Sequence, residues 1–233
     1  MLQERIEGKW ISSFRRVFVL NGIGKGTTVA LISETQSRPV LEHLSELALY
    51  DLGADFCILK MPTPPQTAPV PVKGTGTSLA IQHNRAIIEA MKKCEIVVDC
   101  TVEGMIHSPE WPEIEAAGAR ILVVTNEHPE ILERTEPFAE LGPKVDLGVK
   151  MLSEAREMRV TSEAGTNLIV DLTDAPCGGT PGFGTNPGHV AHWPGGLCLA
   201  FPGKGCVNGR IVMDLGDMNL TFKTYLTSRI DFT

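Results

Sequence analysis

Glu95-Ile96-Val97-Val98-Asp99, then Ser108-Pro109-Glu110 opening a segment that runs to Ala117, then Arg120-Ile121-Leu122-Val123-Val124, spell strand, helix, strand in close succession. Ser108 suits an N-cap, Pro109 the first helical position, and Glu110 complements the positive end of the helix dipole. A strand that feeds a helix and then a second strand argues for parallel pairing with a crossover.

The same rhythm extends upstream. A strand from Thr28 to Ile32 leads to a helix entered at Ser37-Arg38-Pro39 and stopped at Leu52-Gly53. A strand from Asp55 to Leu59, a proline-rich connection from Pro62 to Pro71 followed by Gly74 and Gly76, and a helix from Asn84 to Lys93 complete the series. The first twenty residues place Ile6, Trp10, Phe14 and Val17 at helical intervals, with Asn21-Gly22 as the stop. The glycines of Asn21-Gly22-Ile23-Gly24-Lys25-Gly26-Thr27-Thr28 precede a strand, and Lys25-Gly26 breaks the ending of a phosphate loop, so this stretch reads as a turn. The expected fold is α/β, a doubly wound, mostly parallel sheet.

Beyond a helical stretch ending near Ala155 the pattern changes. Met158 to Ser162, Asn167 to Leu172, Leu197 to Phe201, Arg210 to Leu215 and Asn219 to Thr233 are strand-like, with glycine or asparagine turns between them. This divides the chain into an α/β N-terminal domain, residues 1–157, and the start of a strand-rich second domain, residues 158–233. The alternation from Tyr225 to Thr233 stops without a turn or polar tail, so the second domain reads as truncated.

Composition excludes several classes of function. The 233 residues are 42% hydrophobic, enough for a proper core. The formal charge is −7, and only Arg15-Arg16 and Lys92-Lys93 form basic pairs, so nucleic acid is a poor partner. The start lacks the basic and apolar regions of a secretory signal, and no apolar run approaches the ~18 residues of a membrane span. The six cysteines form no C-x-x-C; free thiols in apolar runs fit a reducing cytoplasm. Only Cys177, in Pro176-Cys177-Gly178-Gly179, reads as an accessible thiol.

Two histidines stand out. His107 follows the carboxyl end of a strand and precedes the expected helix start at Ser108, on the rim where doubly wound sheets collect ligands. A helix N-terminus there would favour the neutral imidazole of a proton acceptor. Packing against its own helix is the other reading. His192 sits in His192-Trp193-Pro194-Gly195-Gly196, read as a stiff, irregular loop that fixes the imidazole, as a proton-transfer group or as a core-edge histidine beside a buried tryptophan. His189 and His192 invite a metal reading, but an extended segment would point them apart and no carboxylate completes a set. Asp214 and Asp217 flank a glycine and read as turn residues.

Ile96-Val97-Val98-Asp99, His107-Ser108-Pro109-Glu110, Arg120-Ile121-Leu122, Pro129-Glu130, Ser162-Glu163-Ala164-Gly165, His192-Trp193-Pro194, Asp214-Leu215-Gly216-Asp217 and Phe222-Lys223-Thr224-Tyr225 occur in an order that resembles the 2,5-dihydroxypyridine 5,6-dioxygenase family. That family lies in a broader group similar to the thermophilic metalloaminopeptidases. The resemblance covers most of the chain and is clearest from Glu95 onward. It implies opening of a hydroxylated pyridine ring with O2 at a mononuclear non-haem Fe(II), in a cytoplasmic homo-oligomer serving nicotinate catabolism. It also implies that His107 and His192 match the pocket histidines acting on the substrate, and that Ile106 matches an apolar wall residue. The family's metal ligands, two histidines and an aspartate, fall beyond the point matching Thr233, so no metal ligand is expected in this chain. Two other readings are a metal-dependent aminopeptidase-like hydrolase and a non-catalytic truncated or assembly module.

Overall fold

The computed structural model describes residues 5–65, 78–219 and 224–232. Most of the expected proline-rich connection, and Phe222 and Lys223 of the last motif, lie outside them. In chain order the elements begin with α1 (Gly8–Leu20), β1 (Thr28–Glu34), α2 (Pro39–Leu52), β2 (Asp55–Met61), α3 (Arg85–Met91) and β3 (Ile96–Asp99). They continue with α4 (Trp111–Ala116), β4 (Arg120–Val124), α5 (Pro129–Arg134), α6 (Leu141–Glu154), β5 (Glu157–Thr161), β6 (Asn167–Asp171) and β7 (Cys177–Thr180). The last are β8 (Val190–Trp193), β9 (Leu197–Ala200), β10 (Val207–Met213), β11 (Met218–Asn219), β12 (Thr224–Tyr225) and β13 (Ile230–Phe232).

Two compact units emerge, and neither is continuous in sequence. Of the described residues, the first comprises 5–65, 78–141 and 180–196, and the second comprises 142–179, 197–219 and 224–232. Residues 180–196 follow the expected cut at 157 yet belong to the first unit, because β8 pairs with β4.

The first unit is built on a five-stranded sheet in the order β2-β1-β3-β4-β8, every pair parallel. Alternate residues of each strand face opposite layers. Val29 and Leu31 of β1, with Ile96 and Val98 of β3, pack against Phe14, Val17 and Phe18 of α1 and Leu41, Leu44 and Ala48 of α2. Ala30 and Ile32, with Val97 and Ile121, pack against Ile88 and Met91 of α3 and Trp111 and Ile114 of α4. Both faces are therefore covered, which is why these strands read as continuous apolar runs. Strand order reverses between β1 and β3, so the carboxyl edge of the sheet carries a topological switch point.

The second unit contains the antiparallel sheet β13-β10-β6-β5 and the ribbons β7-β9 and β11-β12. Ser162-Glu163-Ala164-Gly165 is the turn between β5 and β6: the Gly165 amide donates to the Ser162 carbonyl at 3.0 Å, and the Ser162 amide to the Thr166 carbonyl at 3.1 Å. Gly209 lies at a close approach of β10 to β6, since a Cβ there would sit 2.2 Å from the Asn167 carbonyl oxygen. Asp214 and Asp217 form the expected turn, the Asp214 amide donating to Asp217 Oδ2 at 2.8 Å. Cys177 is half-buried and its thiol donates to the Ala175 carbonyl. No helix among the described residues is long and apolar enough to cross a membrane.

Candidate active site

His192 stands at the end of a strand and not on an irregular loop. Ala191 and Trp193 of β8 face the α1 and α2 layer, where Trp193 is wholly buried, its ring 4.8 Å from that of Phe14 and its indole N–H donating to the Leu132 carbonyl at 3.0 Å. The period of two turns His192 to the opposite face. The strand end is clamped, because the Thr125 amide and hydroxyl both donate to the Trp193 carbonyl, at 3.2 and 2.9 Å. The Trp193–Pro194 peptide is cis.

His192 Nδ1 lies 3.0 Å from the Pro194 carbonyl oxygen. A carbonyl only accepts, so in the neutral ring this bond requires the proton on Nδ1 and leaves the lone pair on Nε2. A base acting on a ligand needs that tautomer.

β3 delivers the second imidazole through a tightly built turn. It ends in Asp99, fully buried. Asp99 Oδ1 accepts from the Thr101 amide at 2.9 Å and the Thr101 hydroxyl at 2.6 Å, while Oδ2 accepts from the Met105 amide at 2.8 Å. The Thr101 hydroxyl oxygen accepts in turn from the Gly104 amide at 3.1 Å. Burial pushes the Asp99 carboxyl up, the hydrogen bonds from Thr101 and Met105 pull it back, and the charge of Glu34 adds to the rise, which prevails. The turn then presents Ile106, half-buried, and His107, exposed.

The helix expected at Ser108 begins later, at Trp111, with Glu110 as its N-cap. The intervening residues form successive turns, the Ser108 amide donating to the Met105 carbonyl and the Trp111 amide to the Ser108 carbonyl. Ser108 caps nothing; its hydroxyl donates to the Ser78 carbonyl at 2.6 Å. His107 therefore rides on a turn held from both sides, and the helix-dipole argument for its neutral form does not apply.

The turn after β3 (residues 101–104, 106 and 107), the end of β4 (Val123, Thr125 and Asn126) and His192 of β8 line one cleft of about 340 Å³, its open mouth included. It lies beyond the carboxyl ends of parallel strands, within the first unit. His107, His192 and Ile106 are thus brought together, although 85 positions separate the two imidazoles in sequence. Asn126 ties the wall to the start of α2, its Oδ1 accepting from the amide of the N-cap residue Arg38 at 3.1 Å.

His189 is turned elsewhere. Its ring packs on Gly184, where an added Cβ would lie 2.3 Å away, and its Nε2 is buried without a hydrogen-bond partner. Burial holds this imidazole below its ordinary range; a backbone bond at Phe183 opposes the shift, and the Arg120 charge adds to it. The two histidines of the His-x-x-His pair do not converge. Among the described residues no group of three or more His, Cys, Asp or Glu could hold a metal ion.

Asp99, Thr101 and Asn126 carry no motif that marks them as site residues in the sequence. Asp99 looked like a strand terminus, and the one local signal was a hydroxyl residue two positions after an aspartate, the pattern of an Asx turn.

The chain is similar to known proteins over most of its length. A 2,5-dihydroxypyridine 5,6-dioxygenase from Pseudomonas putida KT2440 is 29% identical over 219 residues, which cover 93% of this chain and 62% of that protein. The solved structure of 2,5-dihydroxypyridine dioxygenase from the same organism superposes with a TM-score of 0.81 at 28% identity, covering 95% of this chain and 64% of that one. The chain therefore spans less than two thirds of the length of these relatives. The profile of the NicX family, 2,5-dihydroxypyridine 5,6-dioxygenase, matches residues 9–233, and the chain belongs to that family.

Proposed function

We propose that this chain forms the substrate-handling part of an Fe(II)- and O2-dependent dioxygenase that opens the ring of a 2,5-dihydroxypyridine-like compound. The observation that carries the reading is the convergence of His107, His192 and Ile106 on one cleft in a member of this family. A ring hydroxyl must give up its proton before the ring becomes electron-rich enough to react with oxygen. The Nε2 lone pair of His192 is the acceptor, and Nδ1–H, donating to the Pro194 carbonyl, holds the imidazole in place as it does so. His107 is the second imidazole available to the ring, and Ile106 supplies an apolar wall.

The described residues do not fit an iron site, since no three ligands converge among them. Self-assembly and a cytoplasmic setting belong to the same proposal; six free cysteines suit a reducing compartment.

The test is anaerobic titration of the chain with 2,5-dihydroxypyridine, followed, in a full-length form that carries the family's metal ligands, by admission of Fe(II) and O2 while the ring absorbance is recorded. His107→Ala and His192→Ala should each slow ring loss by ~10²-fold, the usual size of a general acid–base contribution. Wild-type rates in both variants would overturn the assignment, and failure of the unaltered chain to bind the ring would favour the non-catalytic module.

A further inference from the structure

We infer that Asp99 is a positioning residue for the pocket, fixing the turn that presents Ile106 and His107. The inference rests on the cleft being the substrate site.

Three donors converge on one buried carboxylate: the Thr101 amide, the Thr101 hydroxyl and the Met105 amide, all within 2.9 Å. Asp99 sits at the last position of β3, paired with Val123, which itself pairs with His192. The strand thereby sets the height of the turn relative to the other imidazole. Thr101 relays the hold to Gly104, whose φ of +77° is open chiefly to glycine, so residues 101–105 close on themselves through a single side chain. On the far side, the Ser78 amide donates to the Gly104 carbonyl at 2.6 Å, so the turn cannot compensate by sliding outward.

An acceptor-only group is required here, because an ionised carboxylate meets three donors without conflict. Asparagine of the same shape places an NH2 against either Met105 N–H or the Thr101 pair, turning at least one hydrogen bond into a donor–donor clash. The burial that makes the carboxylate expensive also makes its bonds strong. A sequence needing only stability would place an apolar residue at this position.

The experiment follows the imidazole and Met105 amide signals by NMR in Asp99→Asn, Thr101→Val and Val98→Ala, with anaerobic titration of 2,5-dihydroxypyridine alongside. Thr101→Val removes a bridging hydroxyl and leaves the charge unchanged, so it decides the question should Asp99→Asn fail to fold. Val98→Ala is a buried neighbour that lowers stability without touching the turn.

In Asp99→Asn the Met105 amide should lose its protection from exchange and His107 should shift, while His192, held by Pro194, stays nearer its wild-type position. Thr101→Val should shift His107 in the same direction and Val98→Ala should not. Affinity for the ring should fall about tenfold in Asp99→Asn, the weight of one charge-assisted hydrogen bond. Unmoved His107 signals in both turn variants, equal movement in Val98→Ala, or wild-type affinity in Asp99→Asn would overturn the inference. If the unaltered chain does not bind the ring, the substrate reading falls, and the NMR signals still decide whether Asp99 sets the turn.

Discussion

Three histidines near β8 and the cleft show how one residue type takes different roles from its surroundings. His192 lines the cleft with its Nδ1 3.0 Å from the Pro194 carbonyl oxygen; His107 is exposed on a turn; His189 is half-buried with Nε2 facing no partner. The His189 imidazole is held below its unfolded value of 6.5, so the unfolded chain binds its proton first as pH falls. Stability contributed by neutral His189 is therefore complete above that value and is lost progressively as pH drops toward the folded value. Thermal midpoints measured from about pH 7 down to about pH 5 should fall more steeply for the wild type than for His189→Gln. Parallel curves would show that the burial of His189 is not felt. His107 and His192 could be selected in the sequence because each adjoins a strand end or a Pro-Gly stop. Asp99 could not, because an aspartate closing an apolar run looks the same whether it faces water or three buried donors.

β8 is the element that joins the site, and it is also the one that pattern reading passed over. Val190-Ala191-His192-Trp193 is too short to show a period, and Pro194, Gly195 and Gly196 suggested a loop. Its place in the sheet comes from long-range pairing with β4, which no local signal encodes. The glycines after it serve packing more than flexibility. A Cβ on Gly195 would lie 2.1 Å from the Pro181 carbonyl oxygen and 2.5 Å from the Gly182 Cα, both backbone atoms that cannot swing aside. Gly195→Ala should cost roughly 1–3 kcal/mol, the usual range for overpacking, and should weaken ring binding by displacing the end of β8 that bears His192. Denaturant unfolding with a parallel titration checks both, and a variant with wild-type stability would mean that the 181–182 segment yields easily. α4 carries a related lesson. Its cap, its proline and its acidic first turn were all present in the sequence, but the hold of Asp99 and Ser78 on residues 104–108 delays the helix to Trp111.

At the scale of the molecule, the alternation from Thr28 to Val124 was sufficient to read parallel pairing, because a crossover helix between buried strands admits few other arrangements. The order β2-β1-β3-β4-β8 and the return of residues 180–196 to the first unit were not readable, since they depend on which edges meet. That return determines what the chain can do alone. It completes a cleft with two imidazoles and an apolar wall but gathers no third metal ligand among the described residues. A lone pair of histidines gives fewer donors than the three well-placed ligands expected of a catalytic iron site. The 233-residue chain, loaded with Fe(II) under argon and passed through a chelating column, should therefore retain far less than stoichiometric iron by elemental analysis, while still binding 2,5-dihydroxypyridine. Stoichiometric retention would recast the site, and the two alanine variants would then say how. Loss of iron in His107→Ala or His192→Ala would make that imidazole a ligand and remove it from proton transfer. Iron kept in both would place the metal away from the cleft and leave the proton-handling assignment standing.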